Sequence, residues 1–166
     1  MISIPLQPQV MGDLEASKYQ LAEWRVSIYG RNLNEWERLA KWFYTNRLTH
    51  FNVRWLIQVP RLYQLYRSSN ELKSFAEMLH NIFYPLFQAT LNPSEHVEIH
   101  YFLESIVGFD SVDDESRPEY GSLGSLGASL SSLPYPEDWT VCENPPYGYW
   151  MVMILRLFFV VMNLLL

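Results

Sequence analysis

The chain has 166 residues, 49% of them apolar and 16% aromatic, and a net charge of −6. That composition excludes a disordered chain and supplies side chains for one core, while the acidic balance argues against a general nucleic-acid binder, whose footprint is a basic patch. Cys142 is the only cysteine, which rules out an internal disulfide framework and a cysteine-rich zinc cage and fits a reducing, intracellular setting.

The first residues, MISIPLQPQVMGD, are too short and too broken by Pro and Gln for a secretory signal. Asp13 is a good N-cap for a short helix over 14–20, with Leu14, Tyr19 and Ala22 on one face. Residues 24–29 (WRVSIY) alternate apolar and polar, the period of a strand, and Gly30 stops it. Asn34 caps a second helix whose Trp36, Leu39, Ala40 and Phe43 recur at i, i+3, i+4, i+7. A second strand follows over 52–59, ended by Pro60, then a short helical turn at 62–66. Phe75, Met78, Leu79, Ile82 and Phe83 form a helical stripe over 74–86, with Pro85 near its end. Pro93–Ser94 opens another helix with Val97, Phe102 and Leu103 facing inward, and 106–111 is a third strand. Alternating strands and helices predict parallel strands joined by crossovers. Val26, Ile28, Val53, Trp55 and Ile57 are the expected centre of the core.

Residues 117–133 contain GSLGSLGASLSSL and read as a flexible, exposed insert. Pro134 to Trp139 begin a new turn. Residues 149–166 form an apolar run interrupted only by Arg156 and Asn163. It predicts a helix, with enough length to cross a membrane; a mid-segment Arg opposes insertion by about 2.5–3.5 kcal/mol. In a soluble protein the same helix should promote association through its apolar face.

Few residues suggest chemistry. His96 and His100 stand at i, i+4, the spacing of a helical zinc pair. The zincin pattern, however, sets Glu beside the first His, whereas Glu98 is two positions on and expected on another face. The stretch Gly108–Glu119, GFDSVDDESRPE, holds five acids: Asp110, Asp113, Asp114, Glu115 and Glu119. It fails the EF-hand pattern, since Val112 and Glu115 occupy the third and sixth positions. A solvated loop after a strand is the plain reading, although loops at the C-terminal ends of parallel strands also carry active sites. Cys142 has no CxxC partner. Arg54, Arg61 and Arg67, set among Trp55, Tyr63 and Tyr66, suggest either a phosphate-facing patch or, more simply, arginines lying over aromatic surface. Gly-rich phosphate loops and nucleophile elbows do not occur.

Longer strings say more. Asp13–Gln20 (DLEASKYQ), Ala22–Arg31 (AEWRVSIYGR), Glu35–Trp36 with Leu39–Ala40, Asn52–Tyr63 (NVRWLIQVPRLY) and Gly108–Ser116 (GFDSVDDES) occur in this order. Together they resemble the AMP deaminase family, over about residues 12–148. The resemblance implies a (βα)₈ metal-dependent hydrolase in which bound zinc activates the water that attacks C6 of the adenine ring and expels ammonia, turning AMP into IMP. It also implies a cytosolic, tetrameric enzyme of purine salvage. On that reading the fold class is α/β, helix-rich, an incomplete fragment of a (βα)₈ barrel with about three parallel strands. The chain divides into a divergent tail (1–12), family-like segments (13–116 and 134–148) around the insert, and a divergent apolar helix (149–166). The resemblance places the family's His-x-His metal ligands before this region, and its remaining ligands, catalytic Glu and catalytic His after it. None of His50, His80, His96 or His100 stands at a family ligand position. No catalytic, cofactor-binding or metal-binding residue is therefore assigned, and no zinc is expected on this chain. The expectation is a truncated middle segment without activity of its own. The alternative is a non-catalytic partner of full-length subunits, or a remnant tethered to a membrane through 149–166.

Overall fold

The computed structural model describes residues 6–17, 20–114, 116 and 134–165. In chain order the elements are α1 (Leu6–Ala16), β1 (Ala22–Ser27), α2 (Glu35–Thr45), β2 (Val53–Pro60), α3 (Tyr63–Ser68), α4 (Phe75–Leu91), α5 (Val97–Leu103), β3 (Ile106–Val112) and α6 (Tyr147–Leu165). The class is α/β. One open sheet has the order β1-β2-β3, and both pairings are parallel, as the alternation predicts.

The register explains which residues are buried. Trp24 pairs with Trp55, and Ser27 with Gln58; Ile57 pairs with Phe109, and Gln58 with Asp110. Side chains alternate across a strand, so Val53, Trp55, Ile57 and Val59 point to one face, and all four are buried. The helices lie on that face. Trp55 meets Phe43 of α2 edge-on at 5.6 Å and Phe102 of α5 at 6.2 Å, while Phe109 stacks on Phe83 of α4 and reaches Phe158 of α6. Trp36 of α2 is fully buried and donates its indole N–H to the carbonyl of Ile82, 2.6 Å away, tying α2 to α4. The other face carries Arg25, Ser27, Leu56, Gln58 and Asp110, with no helix over it among the described residues.

Several boundaries differ from the sequence reading. The first helix spans Leu6–Ala16 rather than 14–20, and Asp13 lies inside it. Pro8 falls in the first turn, where the missing N–H has no intrahelical acceptor anyway. β1 lies two residues earlier than expected, and Val26 is half-buried rather than central, because β1 is an edge strand. β2 includes Pro60. Helix α4 continues through Pro85 to Leu91. Proline removes one backbone bond, but Ile82, Phe83, Leu86 and Ala89 are buried on both sides of it. α5 begins only at Val97, leaving His96 as its N-cap. The expected insert at 117–133 and Tyr19 lie outside the described residues.

Gly30 fixes the exit from β1. Its φ is +71°, and a Cβ there would sit 2.8 Å from Cγ1 of Ile82 and 2.9 Å from Cγ of Met78. Gly30→Ala should therefore destabilise the fold by about 2–4 kcal/mol through backbone strain and overpacking. Urea denaturation checks this; a loss below about 1 kcal/mol would mean that the turn relaxes freely.

Candidate functional site

Ligands in parallel α/β sheets gather beyond the C-terminal ends of the strands. Here those ends are followed by Arg31, Arg61 and Asp113, and each of the three connections is fixed by charged side chains.

After β1 the backbone wraps around a carboxylate. Glu35, 8% exposed at the start of α2, accepts hydrogen bonds from the N–H groups of Tyr29 (2.7 Å), Gly30 (3.1 Å) and Arg31 (2.8 Å). An anion at a helix N-terminus is favoured by the helix dipole. Asn81 of α4 donates to the carbonyl of Gly30 at 3.0 Å. Arg31 pairs with Glu71 and stands 5.3 Å above the Tyr66 ring. Hydrogen bonding to Glu71 raises the guanidinium pKa, and hydrogen bonds from Ser69 and Arg31 lower the Glu71 carboxyl below its ordinary range. Burial pushes the Tyr66 phenol up to about 12.

After β2, Arg61 is a hub. Its side chain is 9% exposed. It donates to the Pro145 carbonyl from Nε (3.0 Å) and from a terminal nitrogen (2.8 Å), pairs with Asp113 beyond β3, and lies 6.0 Å from the Tyr147 ring centre. Asn144 returns a bond to the Arg61 carbonyl and accepts one from the Gln64 N–H. Nearby, the Tyr63 hydroxyl bonds to the carbonyls of Trp139 and Val141, and Arg67 to that of Thr140. The alternative of a phosphate-facing arginine patch is thus corrected: Arg61 and Arg67 hold the backbone of 140–145, and Arg54 donates to the carbonyls of His50, Phe51 and Val53.

The acidic stretch resolves into partners for arginines and turns. Asp110 accepts from Arg25 Nε at 2.8 Å, an ion pair that reaches from β3 to β1 across the bare face of β2. Gly108, level with Leu56, has a Cβ position 3.3 Å from that side chain, so the surface beneath this pair is closely filled. Asp113 is held by Arg61, and Asp114 accepts from the Ser116 N–H at 3.2 Å. Glu115 and Glu119 lie outside the described residues. These pairs, like Glu35, join residues far apart or one helix turn away, and the only advance signal in the sequence was the polar half of the alternation in β1.

The histidines are not brought together as ligands. His100 lies 3.9 Å from Glu104, one turn on. His96, at the cap, lines a cleft of about 370 Å³ with Glu37, Tyr44, Glu95 and Glu98. Glu98 was expected on a face away from His96; it shares the cleft because His96 precedes the helix proper. Among the described residues no group of three or more His, Cys, Asp or Glu could hold a metal ion, so a zinc site does not fit these side chains. Cys142 is exposed.

Two outcomes are expected. Arg61→Ala should lower stability by about 2–4 kcal/mol and speed amide exchange at Trp150, whose N–H bonds to the Pro146 carbonyl. Arg61→Lys should recover only part, since a point charge cannot span the Pro145 carbonyl and Asp113 together; unchanged exchange in Arg61→Ala would refute the hub role. For Tyr66, an unfolded phenol ionises near pH 10, below the folded value. The unfolded chain loses its proton first, so stability should fall as pH rises from about 10 toward 12. Tyr66→Phe, followed by thermal melts across that window, should flatten the slope.

A family model described as AMP deaminase matches residues 4–165. The chain is 49% identical over 146 residues to AMP deaminase of Schizosaccharomyces pombe, 47% over 146 residues to a probable AMP deaminase of Oryza sativa, and 48% over 143 residues to AMP deaminase 3 of Homo sapiens. These alignments cover 86–88% of the chain and 17–18% of the relatives. The chain thus spans about a sixth of the length of the curated relatives it matches. By its matched residues, this chain belongs to the AMP deaminase family.

Proposed function

We propose that this chain is a segment of a hydrolase that deaminates AMP to IMP with release of ammonia. The observation that supports this is the near-half identity to several proteins named AMP deaminase along almost the whole chain. We also propose that β1, β2 and β3 are consecutive staves of a (βα)₈ barrel. All four long-range packing helices lie on one face of a wholly parallel sheet, whereas such sheets are usually covered on both faces. In a barrel the bare face, with Arg25, Ser27, Gln58 and Asp110, turns inward and packs against side chains of other strands.

In this reading the segment is structural. Asp110 in β3 and Asp113 beyond it are taken by Arg25 and Arg61, and in this reading zinc and the proton-transferring groups come from other parts of the assembled enzyme. Zinc there supplies the activated water; Glu35, Arg61 and the Arg25–Asp110 pair hold three loops and three strands in place around it. The setting is the cytosol.

The test is a chimera. Residues 13–148 replace the matching segment of the Schizosaccharomyces pombe enzyme, and ammonia release from AMP is followed. Activity within about tenfold of the parent, a barrier change near 1.4 kcal/mol, is expected, while the 166-residue chain alone, with AMP and added zinc, should release none. A folded but inactive chimera would refute the deaminase reading. Turnover by the chain alone, lost in His96→Ala or His100→Ala, would refute the structural role.

A further inference from the structure

The bare face of the sheet is polar, whereas a barrel interior is ordinarily filled by branched apolar side chains. By the register, Glu23 stands level with Arg54, Arg25 with Leu56 and Gly108, and Ser27 with Gln58 and Asp110. Most of these groups are matched close by. Asp110 accepts from Arg25 with one oxygen and from the Ser111 N–H with the other. Arg54 donates to three backbone carbonyls. Gln58 is different. Its Oε1 accepts the Ser27 hydroxyl at 3.2 Å, and its amide NH₂ has no partner among the described residues.

The position of that amide matters. Ser27 is the last residue of β1, and Gln58 stands two residues before the end of β2, toward the C-terminal ends where barrels and parallel sheets receive their ligands. Enclosed in a barrel, two N–H donors need an acceptor. The charges around them balance, Glu23 against Arg54 and Arg25 against Asp110, so the face suits an uncharged acceptor better than a phosphate.

We propose that Gln58 is a binding residue for the base of the substrate, its amide NH₂ donating to one of the adenine ring nitrogens N1, N3 or N7. Ser27 is a positioning residue: by donating to Oε1 it turns the NH₂ end of the amide toward the base. The proposal rests on the barrel and deaminase reading above and adds to the segment's structural role a contact with the reacting molecule. The competing occupant of the amide is a side chain from another strand.

The test uses the chimera carrying residues 13–148. Its ligands are AMP and three competitive AMP analogues, in which N1, N3 or N7 is replaced by C–H. Gln58→Leu should raise KM for AMP about tenfold, the effect of one lost hydrogen bond, and change kcat less. One analogue, the one without the acceptor, should bind parent and variant equally. Gln58→Glu keeps the shape but replaces the donors by a carboxylate, so it should weaken AMP at least as much. Ser27→Ala should raise KM about threefold in the parent and add nothing in Gln58→Leu. Thermal melts establish that each variant is folded. An unchanged KM in folded Gln58→Leu would overturn the proposal, and a lowered melting temperature beside that unchanged KM would place a protein side chain on the amide. Equal weakening of AMP and all three analogues would overturn it as well. An inactive parent chimera sinks the deaminase reading and this proposal with it; an active one indifferent to Gln58 sinks this proposal alone.

Discussion

The central strand β2 is the constraint on which the rest depends. Both β1 and β3 take their hydrogen bonds from it, and a strand's side chains must alternate between faces. Once Val53, Trp55, Ile57 and Val59 are committed to one face, the helices have one place to pack. A shift of one residue would expose all four together and bury Arg54 and Gln58. The aromatic contacts of Trp55 with Phe43 and Phe102 reinforce that choice, because a ring this large fits only where its neighbours leave a slot.

Electrostatics then fix what packing leaves open. Parallel strands end in loops with unpaired backbone groups, and those groups need partners. Glu35 gathers three amides after β1, and Arg61 takes up the Pro145 carbonyl near the end of β3. Exposed ion pairs contribute little by themselves. Arg61 differs because it is nearly buried and its bonds reach two separate segments, at Asp113 and at Pro145, so removing it leaves polar groups without partners.

Much of this architecture was legible in the sequence, for local reasons. The alternation in NVRWLIQV and the i, i+3, i+4, i+7 spacing of Trp36, Leu39, Ala40 and Phe43 are short-range signals, and the elements formed where they point. Some of the misses came from prolines, whereas β1, α5 and the cap expected at Asp13 were misplaced without a proline being read as a breaker. Pro8 sits in a first turn and Pro85 among buried neighbours, where tertiary packing outweighs one lost hydrogen bond. The site was less legible. Asp110 finds Arg25 at a separation of 85 residues and Asp113 finds Arg61 at 52. A lone sequence shows five acids in a row of twelve positions but not the arginines that neutralise them. Glu35 stands in the first turn of α2, and only the turn at Gly30 reveals that it organises a loop.

Arg61 also bears on how the chain can vary. It closes one loop of 52 residues to Asp113 and another of 84 to Pro145. Closure entropy grows only as the logarithm of loop length, so the second closure opposes folding by about 0.4 kcal/mol more than the first. Doubling a connection would add only about 0.6 kcal/mol. Because closure depends so weakly on length, Arg61 can join Asp113 and Pro145 at nearly the same entropic cost although one stands 52 residues away and the other 84, and the clamp is set by the geometry of its guanidinium rather than by the length of chain it encloses.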